Sequence, residues 1–327
     1  MSSIRWGLIG CGDVVRKRVA RAIQDEPRSR LIAACRRDAD ELSRFCESFN
    51  VERAYASSDD LLADGDVDAV YIATPVRYHL PQTLAAARAG KHVLVEKPMA
   101  MNVAECEQMI DACRQAGVKL SVAYYRRFYP LVRRIRELIS EGEIGRPMAV
   151  TAITATHLSA DSIQEGFWRV VLKDGGGGAL MDIGSHRINV FQHLFGPITD
   201  VKAYCERVAA DYEAEDSAVV ILRFESGLVG TLQCHFGSSH DPDEFTVLGT
   251  EGRLVVRPLN GDTLTIESKG WRRSEKHPPA DNLCGPLVAD FASAILDDRD
   301  PTVSGEEGLA VNQIMQRAYV ESQSSGG

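Results

Sequence analysis

Short apolar segments alternate with helical segments through the first 124 residues, and this alternation constrains the fold more than any other feature of the sequence. Each apolar segment is short, as expected for strands buried on both faces of a sheet. Two of the helical segments end at a glycine, Gly90 and Gly117, where a helix C-cap is expected. Repeated strand and helix units of this kind predict an α/β domain with a parallel, doubly wound Rossmann sheet. The predicted strands are IRWGLIG (4–10), LIAAC (31–35), DAVYIAT (68–74), HVLVE (92–96) and KLSVAY (119–124).

A glycine-rich turn follows the first predicted strand. Gly10 and Gly12 match the dinucleotide fingerprint, in which glycines allow a tight turn and close approach of backbone N–H groups to a pyrophosphate. The third fingerprint position holds Val15 instead of a small residue, so the match is partial. Because the turn lies between a strand and a helix, it still predicts a dinucleotide site that includes Gly10, Gly12, Asp13 and Val14.

The end of the second predicted strand indicates which nucleotide binds. NAD sites usually have Asp or Glu about 20 residues after the fingerprint, where it holds the ribose 2′-hydroxyl. Arg36 and Arg37 occupy this position, and guanidinium groups suit a 2′-phosphate. We therefore expect NADP(H) to be favoured over NAD(H). If the position after the fingerprint is counted two residues later, it holds an acidic residue again, since Asp38 and Asp40 follow Arg36 and Arg37.

The pattern changes in the second part of the chain. An amphipathic helix is predicted over 127–145, and strand-like segments then follow with hairpin turns at 225–227 and 250–252. We predict a dinucleotide-binding domain over 1–123. A substrate-binding and oligomerisation α+β domain with a large, mainly antiparallel sheet is predicted over 124–327, and its C-terminal helix is a candidate to pack back on the first domain. The predicted strands are MAVTAITAT, DVKAYCERV, SAVVILRF, LVGTLQCHF, EFTVLG, RLVVR and TLTIE.

One of these strands, AVVILRF (218–224), is apolar almost without interruption. Such a strand is expected to be covered on both faces of its sheet. Helices of the same domain can cover one face, and a second subunit can cover the other. The sequence therefore predicts a homodimer or a homotetramer.

A run of glycines, residues 175–178, precedes a predicted helix with a polar stripe. Asp182, His186, Asn189 and His193 recur at i, i+4, i+7 and i+11. A stripe that simply faces water is one interpretation, and it is the favoured one for His193. A functional role gains weight for Asp182 and His186, because a carboxylate one turn before an imidazole can orient it and raise its basicity.

The segment KHVLVEKPMA (91–100) ends a buried strand with Glu96, Lys97 and Pro98. A solvated strand end followed by a turn is the ordinary interpretation. The other interpretation is functional, since parallel sheets bind ligands at the carboxyl ends of their strands. In that case Lys97 points into the ligand crevice and Pro98 fixes the turn that holds it there.

Composition limits the partners of the chain. A net charge of −9 over 327 residues argues against nucleic acid or an anionic membrane surface. The sequence has no signal pattern and no apolar run of about 18 residues, so we expect a cytoplasmic location without membrane contact. The eight cysteines include no CxxC pair, and we therefore expect neither a metal site nor a disulfide framework.

These segments, in this order, resemble the Gfo/Idh/MocA family of glucose-fructose oxidoreductases and inositol dehydrogenases over nearly the whole chain. AGKHVLVEKP and GGGALMDIGSH are the most specific matches. The resemblance implies a Rossmann domain and a mixed-sheet domain, with a sugar-like substrate bound against the nicotinamide in the cleft between them. The catalytic residues that it implies are Lys97, Asp182 and His186. The implied cofactor contacts are Thr74, Pro75, His79, Glu96, Lys97, Trp168 and Arg169, and the implied substrate contacts are Lys97, Tyr125, Asp182 and His186.

Three functions are compatible with this resemblance. The first is an NAD(P)-dependent dehydrogenase or reductase acting on a carbinol or carbonyl carbon of a sugar, cyclitol or related polyol. The second is a glycosidase that oxidises its sugar transiently with NAD, and the third is a non-catalytic nucleotide-sensing regulator. The set of Lys97, Asp182 and His186 argues against a sensor, which needs no base. Val15, Tyr125 and Asn189 depart from the family pattern, so the shape of the substrate stays open.

Overall fold

The computed structural model describes residues 3–158 and 167–325, which divide into two compact units. The first unit runs through Tyr125 and also takes up Ala280–Asn312. The second unit holds Arg126–Pro279 and the chain from Gln313 onward. Residues 280–312 thus belong with the first unit, although they follow most of the second unit in the sequence.

A parallel sheet forms the centre of the first unit. Within the described residues its strands are β1 (Ile4–Ile9), β2 (Ser29–Cys35), β3 (Arg53–Tyr55), β4 (Ala69–Ile72), β5 (His92–Val95) and β6 (Leu120–Val122). Their order is β3-β2-β1-β4-β5-β6, and every neighbouring pair is parallel. This is the doubly wound dinucleotide-binding order, so the predicted Rossmann domain is confirmed.

Helices connect these strands, and polar side chains begin several of them. Asp38, Ser57 and Asn102 each accept a hydrogen bond from a backbone N–H three residues further on, as N-caps do. Gly117 follows the last of these helices in the left-handed region, with φ of 66°, as predicted for a C-cap. The helices are α1 (Ala20–Asp25), α2 (Ala39–Phe49), α3 (Ser58–Leu62), α4 (His79–Arg88) and α5 (Val103–Ala116).

A larger sheet forms the second unit. Within the described residues its strands are β7 (Pro147–Thr156), β8 (Ile198–Glu206), β9 (Ser217–Phe224), β10 (Val229–Phe236), β11 (Asp243–Gly249), β12 (Gly252–Val256), β13 (Thr263–Ser268) and β14 (Trp271–Lys276). Their order is β14-β13-β12-β11-β7-β10-β9-β8. Among the described strands only β7 and β10 pair in parallel, which confirms the predicted mainly antiparallel sheet.

The first helix of this part of the chain is shorter than the predicted span of 127–145. It begins at Pro130, whose fixed φ suits the first turn of a helix, and a 3₁₀ turn over Tyr125–Phe128 comes before it. The chain leaves the helix before Gly142, which has φ of 74°. The remaining helices are α6 (Pro130–Ser140), α7 (Leu172–Gly175), α8 (Ser185–Phe195), α9 (Gly285–Leu296) and α10 (Gly305–Ser325).

The two faces of the larger sheet differ. On the inner face, Phe191 of α8 packs against Phe224 and Phe245, with ring centroids 6.3 and 5.7 Å apart. On the outer face, Val219 and Ile221 of β9 are 37% and 49% exposed, whereas their neighbours along the strand are buried. Within one chain, the described residues therefore cover only one face of this strand, which leaves the other face as the one predicted to be covered by a second subunit.

Candidate active site

The glycine turn after β1 requires a residue without a side chain. Gly10 has φ of +94°, and a Cβ atom on it would lie 2.7 Å from the carbonyl oxygen of Ala73. At Gly12, by contrast, a Cβ atom would meet no described atom within 4 Å. The turn therefore packs tightly on one side and has open space on the other, as the approach of a pyrophosphate to its backbone requires.

The helix that follows this turn accommodates the bulky fingerprint residue. Val15 is fully buried and begins a turn of π-helix over Val15–Val19, and Val14 before it already has helical backbone angles. The carboxylate of Asp13 is exposed and lies 2.7 Å from the ammonium of Lys17. Of the predicted cofactor residues here, Asp13 and Val14 can contribute their backbone N–H groups.

Arg36 is the first residue after β2, where the fingerprint usually has its acidic residue. Its guanidinium donates to the carbonyl of Cys11 at 2.8 Å and lies 3.7 Å from the carboxylate of Glu41. Arg37 is exposed. The carboxylate of Asp38 accepts the N–H of Glu41 as the N-cap of α2, so this acidic candidate already has a structural role.

The turn after β4 holds Thr74, Pro75 and His79. The hydroxyl of Thr74 donates to Gln82 at 2.6 Å, and Pro75 precedes a short 3₁₀ turn. His79 is completely buried, and its ring nitrogens lie 2.9 Å from the carbonyl oxygen of Thr74 and 3.1 Å from that of Pro98. The imidazole therefore joins the turn after β4 to the turn after β5, and burial lowers its pKa.

Lys97 lies at the carboxyl end of β5, in a turn that neighbouring groups hold in place. The hydroxyl of Tyr71 donates to the carboxylate of Glu96 at 2.7 Å, and the backbone N–H of Lys97 donates to the same carboxylate at 3.1 Å. Burial raises the pKa of Tyr71, so its hydroxyl remains a donor at neutral pH. The Lys97–Pro98 peptide bond is cis. Glu96 thus stabilises the conformation of the turn that carries Lys97.

Tyr125, the predicted substrate contact in the first unit, is nearly buried. Its hydroxyl accepts a hydrogen bond from the guanidinium of Arg18 at 3.0 Å, and that guanidinium also lies 5.7 Å from the centre of its ring. Arg18 is on the helical segment that begins after the glycine turn. The pair therefore links Tyr125 to the nucleotide-binding segment of the same unit.

In the second unit, Asp182 and His186 lie on one continuous helical segment. Asp182 is in a π-helical turn, Leu180–Gly184, and His186 is the second residue of α8. Turns of this kind occur frequently at functional sites. His186 is only 4% exposed and Asn189 only 1%, so the interpretation of this part of the stripe as a solvated face is wrong. Neither amide atom of Asn189 has a hydrogen-bond partner within the described residues.

The predicted loop residues Trp168 and Arg169 meet the predicted catalytic carboxylate. The guanidinium of Arg169 lies 3.6 Å from the carboxylate of Asp182 and 4.6 Å from the centre of the Trp168 ring. An ion pair next to an aromatic face restricts the guanidinium on two sides. The sequence identified all three residues but gave no sign that Arg169 and Asp182 form a pair.

The last member of the stripe, His193, is half-buried instead of facing water. Its Nδ1 atom accepts a hydrogen bond from Nε of Arg127 at 2.8 Å. Burial, with the nearby charges of Arg127 and Arg136, lowers the pKa of His193 to about 4. The neutral imidazole is therefore a structural acceptor, and the favoured solvent-facing interpretation of His193 is wrong.

Sequence reasoning missed Glu215 and Tyr319. The Glu215 carboxylate accepts backbone N–H groups of the glycine-rich segment before Asp182, and the Tyr319 hydroxyl donates to it at 2.8 Å. Both residues are distant in sequence from this segment and belong to no motif. The two adjacent carboxylates directly before a strand, in AEDSAVV, gave no sign of which partners they have.

Among residues 3–158 and 167–325, no three His, Cys, Asp or Glu side chains are grouped so that they could hold a metal ion. The cysteines in this part of the chain are free thiols. None of the described helices combines the length and the apolar character needed to cross a membrane.

Comparison with known proteins agrees with this geometry. Residues 4–124 match the family described as "Oxidoreductase family, NAD-binding Rossmann fold", and residues 132–255 match the "GFO/IDH/MocA C-terminal domain". The chain therefore belongs to the Gfo/Idh/MocA family of oxidoreductases, which confirms the resemblance seen in the sequence.

Individual relatives extend over nearly the full chain. A 1,5-anhydro-D-fructose reductase of Ensifer adhaerens is 33% identical over 316 residues, 93% of this chain and 92% of that protein. A D-xylose 1-dehydrogenase (NADP(+)) of Haloferax volcanii is 30% identical over 324 residues, 96% of each chain. The solved structure of an aldose-aldose oxidoreductase from Caulobacter crescentus superimposes with a TM-score of 0.90 at 29% identity, covering 99% of this chain and 98% of that chain.

The buried His193 predicts a pH dependence of stability. Its pKa is about 4 in the fold and about 6.5 in an unfolded chain, so the unfolded state takes up this proton first as the pH falls. The stabilising contribution is complete above about pH 6.5 and is lost progressively towards pH 4. We expect the melting temperature of His193→Gln, measured by calorimetry at pH 7.5 and 5, to fall less than that of the natural chain. His240→Gln, at an exposed histidine, should keep the natural slope; the same slope for His193→Gln would contradict the assignment.

Proposed function

We propose that this chain is a dehydrogenase or reductase that transfers hydride between NADP(H) and a CH–OH carbon of a sugar, cyclitol or related polyol. One observation carries the proposal: the glycine turn after β1 and Lys97 after β5 lie at the same edge of a parallel sheet in the order 3-2-1-4-5-6. Such an edge is where open α/β sheets bind their ligands. The names of the Ensifer and Haloferax relatives, a sugar reductase and a sugar dehydrogenase, support the substrate class.

The cofactor site is formed by residues whose geometry fits a dinucleotide. The backbone of Gly10–Asp13 would hold the pyrophosphate, and the open space at Gly12 leaves room for it. Arg36 and Arg37 would hold a 2′-phosphate, and the turn at Thr74 and Pro75 would complete the site. A bound nicotinamide nucleotide supplies the acceptor or donor of the hydride.

Proton transfer is the chemistry that the side chains must supply. When hydride leaves a carbinol carbon, the hydroxyl proton has to leave as well, which requires a base and a group that stabilises the oxyanion. We assign the base to His186, oriented by Asp182, and the oxyanion partner or proton relay to Lys97. Arg169, paired with Asp182, would fix the position of that carboxylate. The relatives named above are reductases and dehydrogenases, and no observation favours the glycosidase or the nucleotide sensor.

Substitution of the proposed catalytic groups tests the function. A panel of sugars, cyclitols and polyols, followed at the nicotinamide absorbance band with both cofactors, first identifies a substrate. We then expect Lys97→Ala and His186→Ala each to lower kcat by about 10² to 10⁴, because a positioned proton-transfer group acts mainly in the transition state. The double variant should lose much less than the product of the single losses if both groups serve one proton path.

Controls separate this effect from misfolding. Lys97→Arg should recover little activity, since a guanidinium hardly titrates and cannot occupy the same point. Lys269→Ala, at an exposed turn lysine, should retain full turnover, and melting temperatures should report folding for every variant. Near-normal turnover of Lys97→Ala would show that Lys97 only ends a strand in solvent.

The preference for NADP(H) is a proposal of its own. One charge-assisted contact to a 2′-phosphate contributes roughly 1.5 to 3 kcal/mol, or about one to two decades in affinity. We expect NADPH to bind more tightly than NADH in titrations, and Arg37→Ala to remove most of the difference while changing NADH binding little. Arg30→Ala, at an exposed arginine near the amino end of β2, is the matched control. Equal or tighter binding of NADH to the natural chain would refute this preference.

We also propose that the outer face of the larger sheet associates with a second copy of the chain. Tyr204 of β8 pairs directly with Val219 of β9, and both side chains are exposed on this face. Ile221, Val229 and Leu248 add exposed apolar groups on three neighbouring parts of the same sheet. These exposed apolar side chains, which alternate with polar ones such as Lys202 and Arg223, favour an interface on this face. The cytoplasmic location and the absence of nucleic-acid partners stay predictions.

Assembly through this face can be measured directly. Light scattering at micromolar concentration should give a mass of two or four times 35.8 kDa. Ile221→Glu should shift the mass towards the monomer, because it places a charge in the apolar face. Val208→Glu, at an exposed valine outside the strands, should leave the assembly unchanged. A stable monomer of the natural chain would refute the proposal.

A further inference from the structure

Glu215 is a buried carboxylate that the proposed chemistry does not use. It is 8% exposed and lies directly before Asp216 and the start of β9. Burial of a charged carboxylate is costly unless several hydrogen bonds compensate for the lost water. The groups that donate hydrogen bonds to Glu215 therefore indicate what the buried carboxylate does.

These partners come from the segment that leads into the proposed catalytic helix. The carboxylate oxygens of Glu215 accept the backbone N–H groups of Gly178 and Leu180 at 2.7 and 3.0 Å. Its main-chain carbonyl accepts the N–H of Ala179 at 3.2 Å. Glu215 thus accepts hydrogen bonds from three successive backbone N–H groups of this segment. At the start of a helix, such N–H groups have no partner within the helix.

Tyr319 of α10 completes the arrangement. Its hydroxyl donates to the same Glu215 oxygen that accepts from Leu180, at 2.8 Å. Burial raises the pKa of Tyr319 well above its ordinary value, so the phenol keeps its proton and remains a donor. Burial also raises the pKa of Glu215, while the hydroxyl and the N–H groups favour the charged carboxylate.

The glycine at 178 is required by this contact. A Cβ atom on Gly178 would lie 1.9 Å from the carbonyl oxygen of Glu215, closer than any non-bonded contact allows. The segment can approach Glu215 only if residue 178 has no side chain. This close approach explains one of the four consecutive glycines by packing instead of by mobility.

The contact with Glu215 fixes the backbone of residues 178–180, immediately before the proposed catalytic residues Asp182 and His186. The N–H of Asp182 donates to the carbonyl of Gly178 at 3.0 Å, so Asp182 is one hydrogen bond away from a residue that Glu215 holds. The π-helical turn that contains Asp182 continues directly into α8 and His186. A shift of the segment at 178–180 would therefore move both side chains.

We propose that Glu215, supported by Tyr319, is a positioning residue: it anchors the backbone of residues 178–180 and thereby sets the positions of Asp182 and His186. The effect of this anchor on catalysis rests on the proposed function, in which Asp182 and His186 are catalytic. The anchor itself is a local property of the second unit and can be measured without a substrate.

The test compares Glu215→Gln and Tyr319→Phe with the natural full-length chain. Glu213→Gln is the matched control, because that exposed carboxylate accepts a single backbone N–H, from Leu172. Hydrogen exchange of peptides spanning 176–190 reports the anchor, and melting temperature and NADPH titration report folding and cofactor binding. With a substrate from the panel, kcat and KM report catalysis.

We expect Glu215→Gln to accelerate exchange at 178–186 and to lower kcat by about 10-fold to 10²-fold, with KM and NADPH affinity changed less than threefold, since small misplacement of reacting groups is costly. Tyr319→Phe should change both readouts in the same direction by less, and it keeps the test valid if Glu215→Gln fails to fold. Glu213→Gln should change neither.

Two results would contradict the inference, and a third would separate it from the proposed function. Faster exchange in both variants with unchanged kcat would reduce Glu215 to a purely structural role and overturn the proposal. Unchanged exchange would overturn the anchor itself. If the natural chain converts no substrate of the panel, the proposed function fails, and exchange at 178–186 alone then decides whether the anchor exists.

Discussion

The close approach of Gly10 to the Ala73 carbonyl is the contact on which the nucleotide-binding half of the molecule depends. It brings the turn after β1 against the turn after β4, with no room for a Cβ atom between them. Because all six strands of this sheet are parallel, the turn after β5 with Lys97 lies at the same edge. His79 then ties the last two turns together through their carbonyl groups. A side chain at residue 10 would disturb this whole edge.

The second unit meets a different constraint, since its proposed catalytic helix is largely buried while it carries charged and polar side chains. Each of several polar groups there has a dedicated partner: Asp182 has Arg169, and His193 has Arg127. The fully buried Arg187 donates to Asp243 of β11, and burial lowers the pKa of that guanidinium. Such pairs offset much of the cost of burying charged groups, whereas the amide of Asn189 on the same helix has no hydrogen-bond partner within the described residues. The pairs also restrict where His186 can lie.

Local sequence patterns were sufficient for strands that form apolar runs, and insufficient for short or polar strands. The apolar runs predicted the central strands, but β3 and β14 were missed because β3 is only three residues long and β14 is an exposed polar edge strand. The fingerprint and the EKP turn predicted the cofactor edge. Pairs such as Arg169 with Asp182, or Glu215 with Gly178, join residues that belong to different sequence motifs, and a single sequence carries no signal for them. His79, predicted as a cofactor contact, is buried and lies between the carbonyl groups of two turns, a position that its sequence did not indicate.

Net hydride transfer from a substrate carbon to the nucleotide can be followed directly with an isotope label. The substrate found in the panel is deuterated at the carbinol carbon and incubated with NADP⁺, and both products are analysed by mass spectrometry. We expect one deuterium in the reduced nucleotide for each substrate molecule oxidised. Cleavage of a sugar without accumulation of reduced nucleotide, or a reduced nucleotide that carries no deuterium, would contradict it.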